Sequence, residues 1–141
     1  METGQTGKNL IKSFEQLRLK AYQDSVGIWT IGWGHTHQVV PNMEIDDDTA
    51  IRLLNEDLEI TERCVNSYVQ VQLTQKEFDA VVCFTFNVGC NAFKNSTMCK
   101  LINEEKYEEA AKEFPRWNKA RGKILGGLIR RRKAEMELFL A

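Results

Sequence analysis

Residues Glu15 to Thr36 read EQLRLKAYQDSVGIWTIGWGHT. Two textures meet in this stretch. Leu10, Ile11, Phe14 and Leu17 recur at helical spacing. After Lys20 the strand formers Tyr22, Ile28, Trp29, Thr30, Ile31 and Trp33 take over, punctuated by Gly27, Gly32 and Gly34. The pattern predicts a first helix from about Lys8 to Lys20, then a hairpin region to about Val40, closed by Pro41 and Asn42. Two acids, Glu15 and Asp24, and a hydroxyl, Thr30, fall within it. Glu15 would hang from a helix end, with Asp24 and Thr30 on a small antiparallel sheet. A cleft between the two suits a sugar chain.

The remainder of the chain reads as helices. Asp46, Asp47 and Asp48 form a helix start, because carboxylates cap free amides and suit the positive helix end. Ile51, Leu54, Leu58, Val65 and Tyr68 line one face of the helix that follows, which runs to about Asn66 or beyond. A helix of that length can bridge two lobes. Thr74 and Glu77 form a capping box ahead of a helix that is apolar on nearly every side and ends at Gly89. Asn95 and Ser96 open a short helix to about Asn103, and Glu104 to Phe114 makes another, ended by Pro115. Arg116 to Gly127 reads as turns with a helical piece, and Leu128, Arg132, Met136 and Phe139 set out a last amphipathic helix. The expected class is α+β: a small sheet lobe (about 15–60) and a larger helical lobe (about 61–141 plus the N-terminal helix) in one domain, 1–141, joined by a long helix.

Composition is ordinary for a globular domain, with 43% hydrophobic and 28% charged residues and a net charge of −1. The charge is unevenly placed. Acids dominate from Glu44 to Glu62, while eight basic residues and no acid lie between Arg116 and Lys133. That run reads either as a solvated helix face or as a surface attracted to a polyanion. No stretch has the apolar length of a membrane helix, and the first ten residues hold no signal-peptide core. Synthesis and folding in the cytoplasm are therefore expected. Cys64, Cys83, Cys90 and Cys99 permit three pairings. Cys83 and Cys90 would lie about 10 Å apart along an unbroken helix, too far to bond. Buried reduced thiols are the expectation for a protein made in the cytoplasm. With two histidines and no C-x-x-C, neither a metal site nor a cofactor is expected.

The spacing E-x8-D-x5-T, set in F-E-x-L-R-L-x-A-Y-x-D-x-x-G-x-W-T-I-G-x-G-H-T, resembles the phage lysozyme (endolysin) family of muramidases, and the resemblance continues to the C-terminus. It implies a lysozyme-like fold and hydrolysis of the β-1,4 bond between N-acetylmuramic acid and N-acetylglucosamine. Glycoside hydrolysis needs one carboxylic acid and one carboxylate. Glu15 suits the acid, since burial beside Leu17 and Leu19 would hold its proton to higher pH. Asp24 would stay ionised and, with Thr30, orient the attacking water, which implies inversion across a carboxyl separation of about 6.5–9.5 Å. The resemblance sets Asp57 opposite His35, and the expected role of that pair is to tie the sheet lobe to the bridging helix. His35 and Trp33, in the glycine-rich turn, also belong to the candidate substrate-binding set. Phe86, Asn87, Asn95 and Ser96 match positions that line the far cleft wall, where amides and hydroxyls would bind N-acetyl groups. A further cleft asparagine of the family has no firm counterpart here, Glu113 being nearest. Trp29 and Trp117 read as core.

The expected partner is bacterial peptidoglycan, met by a monomer with no nucleic-acid partner and no membrane segment. Some relatives carry an N-terminal signal-anchor; without one, release to the periplasm calls for a separate pore-forming holin. A lytic transglycosylase needs only a lone catalytic Glu, so Asp24 and Thr30 weigh against it. A degenerate binding module, gripping peptidoglycan or nucleic acid through Arg130, Arg131 and Arg132, is opposed by the intact set of Glu15, Asp24 and Thr30.

Overall fold

The computed structural model describes residues 1–141. Helix α1 spans Gln5–Phe14 and buries Ile11. Its own sequence supplies no N-terminal cap. The cap comes from Asp79 on a later helix, whose carboxylate accepts from the Gly4 and Gly7 amides at 2.9 and 3.2 Å. Helix α1 ends at Phe14 and does not continue to Lys20, because Glu15 leaves helical geometry at φ −97°, ψ 78°. Strand β1, Arg18–Gln23, therefore starts before the textural change at Lys20. It pairs antiparallel with β2, Trp29–Gly32, placing Tyr22 opposite Thr30 and Gln23 opposite Trp29. Residues 43–45 extend the sheet through Ala21 N–H to Met43 O and Ile45 N–H to Leu19 O, both 2.9 Å.

Asp46 caps α2, Asp47–Tyr68, by accepting from Thr49 N–H. Twenty-two residues make a helix about 33 Å long. It touches β2 on the sheet side, and α3 and α4 among the helices, so the bridging role holds. Helix α3, Gln75–Val88, opens with the expected capping box at Thr74 and Glu77 and stops at Gly89, whose φ of 92° suits glycine. Every residue from Phe78 to Thr85 is buried, and α1, α2 and α7 pack around it. Phe84 meets Phe114 and Trp117 edge-on at 5.5 and 5.3 Å between centroids.

Beyond Gly89 the reading needs four corrections. A short helix α4, Cys90–Lys94, precedes α5, Thr97–Asn103, which Ser96 caps as expected. The Glu104–Phe114 helix is reduced to α6, Tyr107–Ala111, and Pro115 lies inside a 3-10 turn, Phe114–Arg116, rather than terminating a helix. Proline is tolerated there because a first-turn amide has no helical partner to lose. The segment read as turns is a hairpin: β3, Lys119–Ala120, pairs with β4, Lys123–Ile124. Arg121 and Gly122, both at positive φ, make its two-residue turn. The last helix, α7, runs Gly126–Leu140.

The cysteine expectation is half overturned. Cys64 on α2 and Cys90 at the start of α4 form a disulfide with Cα atoms 5.9 Å apart, while Cys83 and Cys99 are free and buried. Axial distance along one helix does not bear on this pair. Gly89 ends α3, and the turn brings Cys90 onto a different helix. No helix is long and apolar enough to cross a membrane.

Candidate active site

The break after Phe14 leaves Glu15 at the junction of helix and sheet, with 22% of its side chain exposed. Its expected apolar neighbours are not there: Leu17 and Leu19 are 37% and 39% exposed. The carboxylate is met by a cation instead. Arg131 Nη1 on α7 donates to Glu15 Oε1 at 2.9 Å. Oε2 lies against Gly34, where a Cβ would stand 2.6 Å from it. Any other residue here would have to displace the end of the Glu15 side chain, and the φ of 78° also favours glycine.

Asp24 sits in the β1–β2 turn. Its Oδ1 accepts from Val26 N–H at 2.9 Å and Ile28 N–H at 2.8 Å, so the turn itself fixes the carboxylate. Thr30 is buried and donates to Ile28 O at 2.9 Å. The backbone of Ile28 thus meets both side chains, its N–H donating to Asp24 and its C=O accepting from Thr30. Each acid has one oxygen committed to the protein and a second left over.

Tyr22 lies near both acids. Burial pushes its phenol above the usual value of 10.0, and the negative charges of Glu15 and then Asp24 push it further, against the nearby Arg18. A single hydroxyl therefore feels both carboxylates. In the sequence Tyr22 reads only as a strand former; the pairing that sets it opposite Thr30 comes from the structure.

A groove of about 510 Å³ is lined by Glu15, Gln16, Asn87, Leu128, Arg130 and Arg131 among others. An adjoining hollow of about 390 Å³ holds Ser25, beside Asp24, and shares Asn87, Leu125 and Leu128 with the first. One trough therefore leads from Glu15 towards the Asp24 turn, past the exposed amide of Asn87. At the far end Arg121 Nη2 donates to Val26 O at 3.0 Å, so the β3–β4 hairpin reaches across to the Asp24 turn. A more apolar hollow of about 380 Å³, lined by Met1, Val65 and Phe78, holds no carboxylate and lies outside this trough.

The other expected residues have these neighbours in the structure. His35 is buried, with Nδ1 2.8 Å from Asp57 Oδ2 and Nε2 2.8 Å from His37 O, so both ring nitrogens are occupied and the predicted tie between lobes is present. Trp33 is half-buried under Lys12, whose Nζ lies 4.8 Å from the ring centroid. Phe86 packs against the helical core. Ser96 caps α5, and Asn95 lines a separate polar hollow with Tyr68, Lys94, Lys100 and Asn103. Glu113 pairs with Arg116 at 3.4 Å. Trp117 is half-buried and packs against the core through Phe84, while Trp29 is half-buried on the sheet.

The basic run is also not what it looked like. Arg131 and Arg132 are buried, so they form no part of a solvated or polyanion-binding face; the other six of the eight stay exposed or largely so. The acid that balances the buried pair is Glu135, two residues past the end of the run. Its spacing of three and four from the arginines was the signal available in the sequence. Burial holds the Cys83 thiol well above its ordinary value of 9.0, which leaves the carboxylates to balance Arg131.

A small antiparallel sheet set against a helical lobe, with Glu15 at their junction and Asp24 in the sheet's turn, is the arrangement of a lysozyme-like protein. Residues 12–135 match the phage lysozyme family. The endolysin of Acyrthosiphon pisum secondary endosymbiont phage 1 is 43% identical, over 99% of this chain and 98% of its own. The endolysin of Bacillus phage B103 is also 43% identical over 99% of this chain, which spans only 54% of that longer protein. The crystal structure of a P22 lysozyme mutant superposes with a TM-score of 0.87 at 40% identity, covering 100% of this chain and 99% of that one. The chain belongs to the phage lysozyme family.

Proposed function

We propose that this chain is an endolysin that hydrolyses the β-1,4 bond between N-acetylmuramic acid and N-acetylglucosamine in bacterial peptidoglycan. Glu15 is the general acid, and Asp24 with Thr30 positions the attacking water. The observation that carries this reading is the half-committed state of both acids. Arg131 holds Glu15 Oε1 and the turn amides hold Asp24 Oδ1, leaving Oε2 and Oδ2 for chemistry. Such fixing by surrounding groups is what general acid–base catalysis requires. Once Glu15 gives its proton to the leaving oxygen, the resulting carboxylate is met by the guanidinium of Arg131.

Within the wider candidate set, Asn87 is the amide best placed for an N-acetyl group, since it lines both parts of the trough. The domain is read as one unit, 1–141, with the sheet lobe at about 15–60. It acts as a monomer on the wall. The Cys64–Cys90 disulfide fits action in an oxidising compartment such as the periplasm, reached through a holin or by a signal-anchor.

Turbidity of a peptidoglycan suspension tests the reading. It should clear with the wild type and stay flat with a folded Glu15→Gln variant. Equal clearing by both would remove Glu15 from the mechanism. Product masses separate hydrolysis from the anhydro-sugar of a lytic transglycosylase, and anomeric NMR separates inversion from retention.

A further inference from the structure

The groove wall behind Glu15 is charged, buried and continuous. Glu135 on α7 has 0% exposure, yet it holds two guanidiniums. Arg131 Nε donates to its Oε2 at 3.1 Å and Arg132 Nη1 to its Oε1 at 2.8 Å. Each arginine has further partners. Arg131 reaches Glu15 Oε1 at 2.9 Å and the Cys83 carbonyl at 2.9 Å. Arg132 donates to the Trp117 carbonyl at 2.9 Å and to Asn87 Oδ1. Trp117 leads directly into the β3–β4 hairpin.

A fork with donors on both edges can be aimed only if both edges are held. Glu15 is 22% exposed and sits at a helix end, so it cannot anchor Arg131 by itself. The buried half of the fork must do so, and its charged partner there is Glu135, beside the Cys83 carbonyl and thiol. The same carboxylate's second oxygen holds Arg132, which fixes the Asn87 amide in the same groove. We propose that Glu135 is a positioning residue for hydrolysis: through Arg131 it sets the orientation of Glu15, and through Arg132 that of Asn87. The inference rests on the proposed roles of Glu15 and Asn87.

A buried ion triad is weak evidence of a contribution to stability. The test must therefore separate positioning from folding. Glu135→Gln keeps the shape and one acceptor but removes the charge that binds both forks. Rates are measured on soluble, uncross-linked glycan strands at a temperature where circular dichroism shows every variant folded. The expected result is a kcat lower by about tenfold to a hundredfold, the scale of a misplacement near 1 Å, with a smaller rise in KM through Asn87. Ile102→Val, a core change on α5 rather than on the helix that carries the triad, should lower Tm while leaving kcat within twofold. A folded Glu135→Gln with kcat within twofold of wild type overturns the proposal, whatever happens to KM. If that variant fails to fold, Glu135→Asp keeps the charge one methylene further back and is read by the same criterion. A wild type that clears no wall would defeat the lysozyme reading itself, which is a different result from an active wild type with an equally active variant.

Discussion

Gly34→Ala puts the placement of Glu15 to a quantitative test. The new Cβ would stand 2.6 Å from Glu15 Oε2 and 3.1 Å from its Cδ. Ordinary van der Waals contact begins near 3.4 Å, so the oxygen must retreat by about 0.8 Å, the difference between 2.6 and 3.4 Å. It cannot do so freely, because its partner oxygen is bound to Arg131 at 2.9 Å. Displacement on this scale at a reacting group costs up to about a hundredfold in rate. The backbone carries a second penalty. At φ 78° an alanine costs about 1–2 kcal/mol, which lowers Tm by roughly 3–8 °C in a domain of this size. Gly122→Ala supplies the control: its φ is 77°, and nothing lies within 4 Å of the added Cβ. Both variants should lose stability by calorimetry, but only Gly34→Ala should lose kcat on soluble glycan, by about tenfold to a hundredfold. A folded Gly34→Ala with wild-type kcat would refute the claim that the working oxygen of Glu15 lies over this turn. Equal kcat losses in both variants would trace the effect to backbone strain.

His35→Asn removes the bonds to Asp57 and His37 and should cost about 1–3 kcal/mol in a thermal melt, while cell-wall clearing at a permissive temperature changes little; the reverse pattern would make His35 a participant in the reaction. Asp46→Ala tests the α2 cap through pH. The hydrogen bonds with Thr49 hold the Asp46 carboxyl below its ordinary value of 3.8 in the folded chain, so its contribution is complete above 3.8 and fades as pH falls through the lower folded value. The Tm gap between wild type and variant should accordingly be steady from pH 5 to 7 and shrink below about pH 3.8; a gap unchanged in acid would deny the carboxylate its capping role. Cys64→Ser opens a loop of 26 residues and should cost about 3.5 kcal/mol by chain entropy; reductant should produce the same loss in wild type and none in the variant, and an insensitive wild type would show that the bond does not form in solution.

Local chemistry was readable in the sequence wherever it acts locally. The Thr74–Glu77 capping box, the Asp46 cap and the Ser96 cap each depend on residues within one helical turn, and all three are present. The bridging helix was legible from its own face of apolar residues, whereas Asp24, expected on the sheet, lies just past β1 in the turn. What sequence could not show was anything supplied from a distance. Asp79 caps α1 from more than seventy residues away. Arg131 meets Glu15 across a separation of 116. The Cys64–Cys90 bond depends on Gly89 turning the chain onto a new helix. The leucines beside Glu15 in sequence point elsewhere, because strand geometry begins at Arg18 and sends neighbours apart.

The buried charges also bear on why this helical lobe is built as it is. Removing ions from water costs several kcal/mol each, and an apolar replacement of similar volume is often neutral or stabilising. A lobe selected for stability alone would fill the space around Glu135 with leucine and methionine, as it does around Met98 and Ile102. Here two guanidiniums and a carboxylate occupy the interior instead, and each guanidinium sends one arm out to the groove, to Glu15 and to Asn87. An apolar core could not extend directional, charged donors to the surface of a cleft. Glu15, at the end of α1, is thus met by two other parts of the chain: the Gly34 turn and the inner face of α7. The energetic cost of that arrangement is intelligible only if the orientation of one carboxyl group matters more to the protein than the last increment of folding free energy.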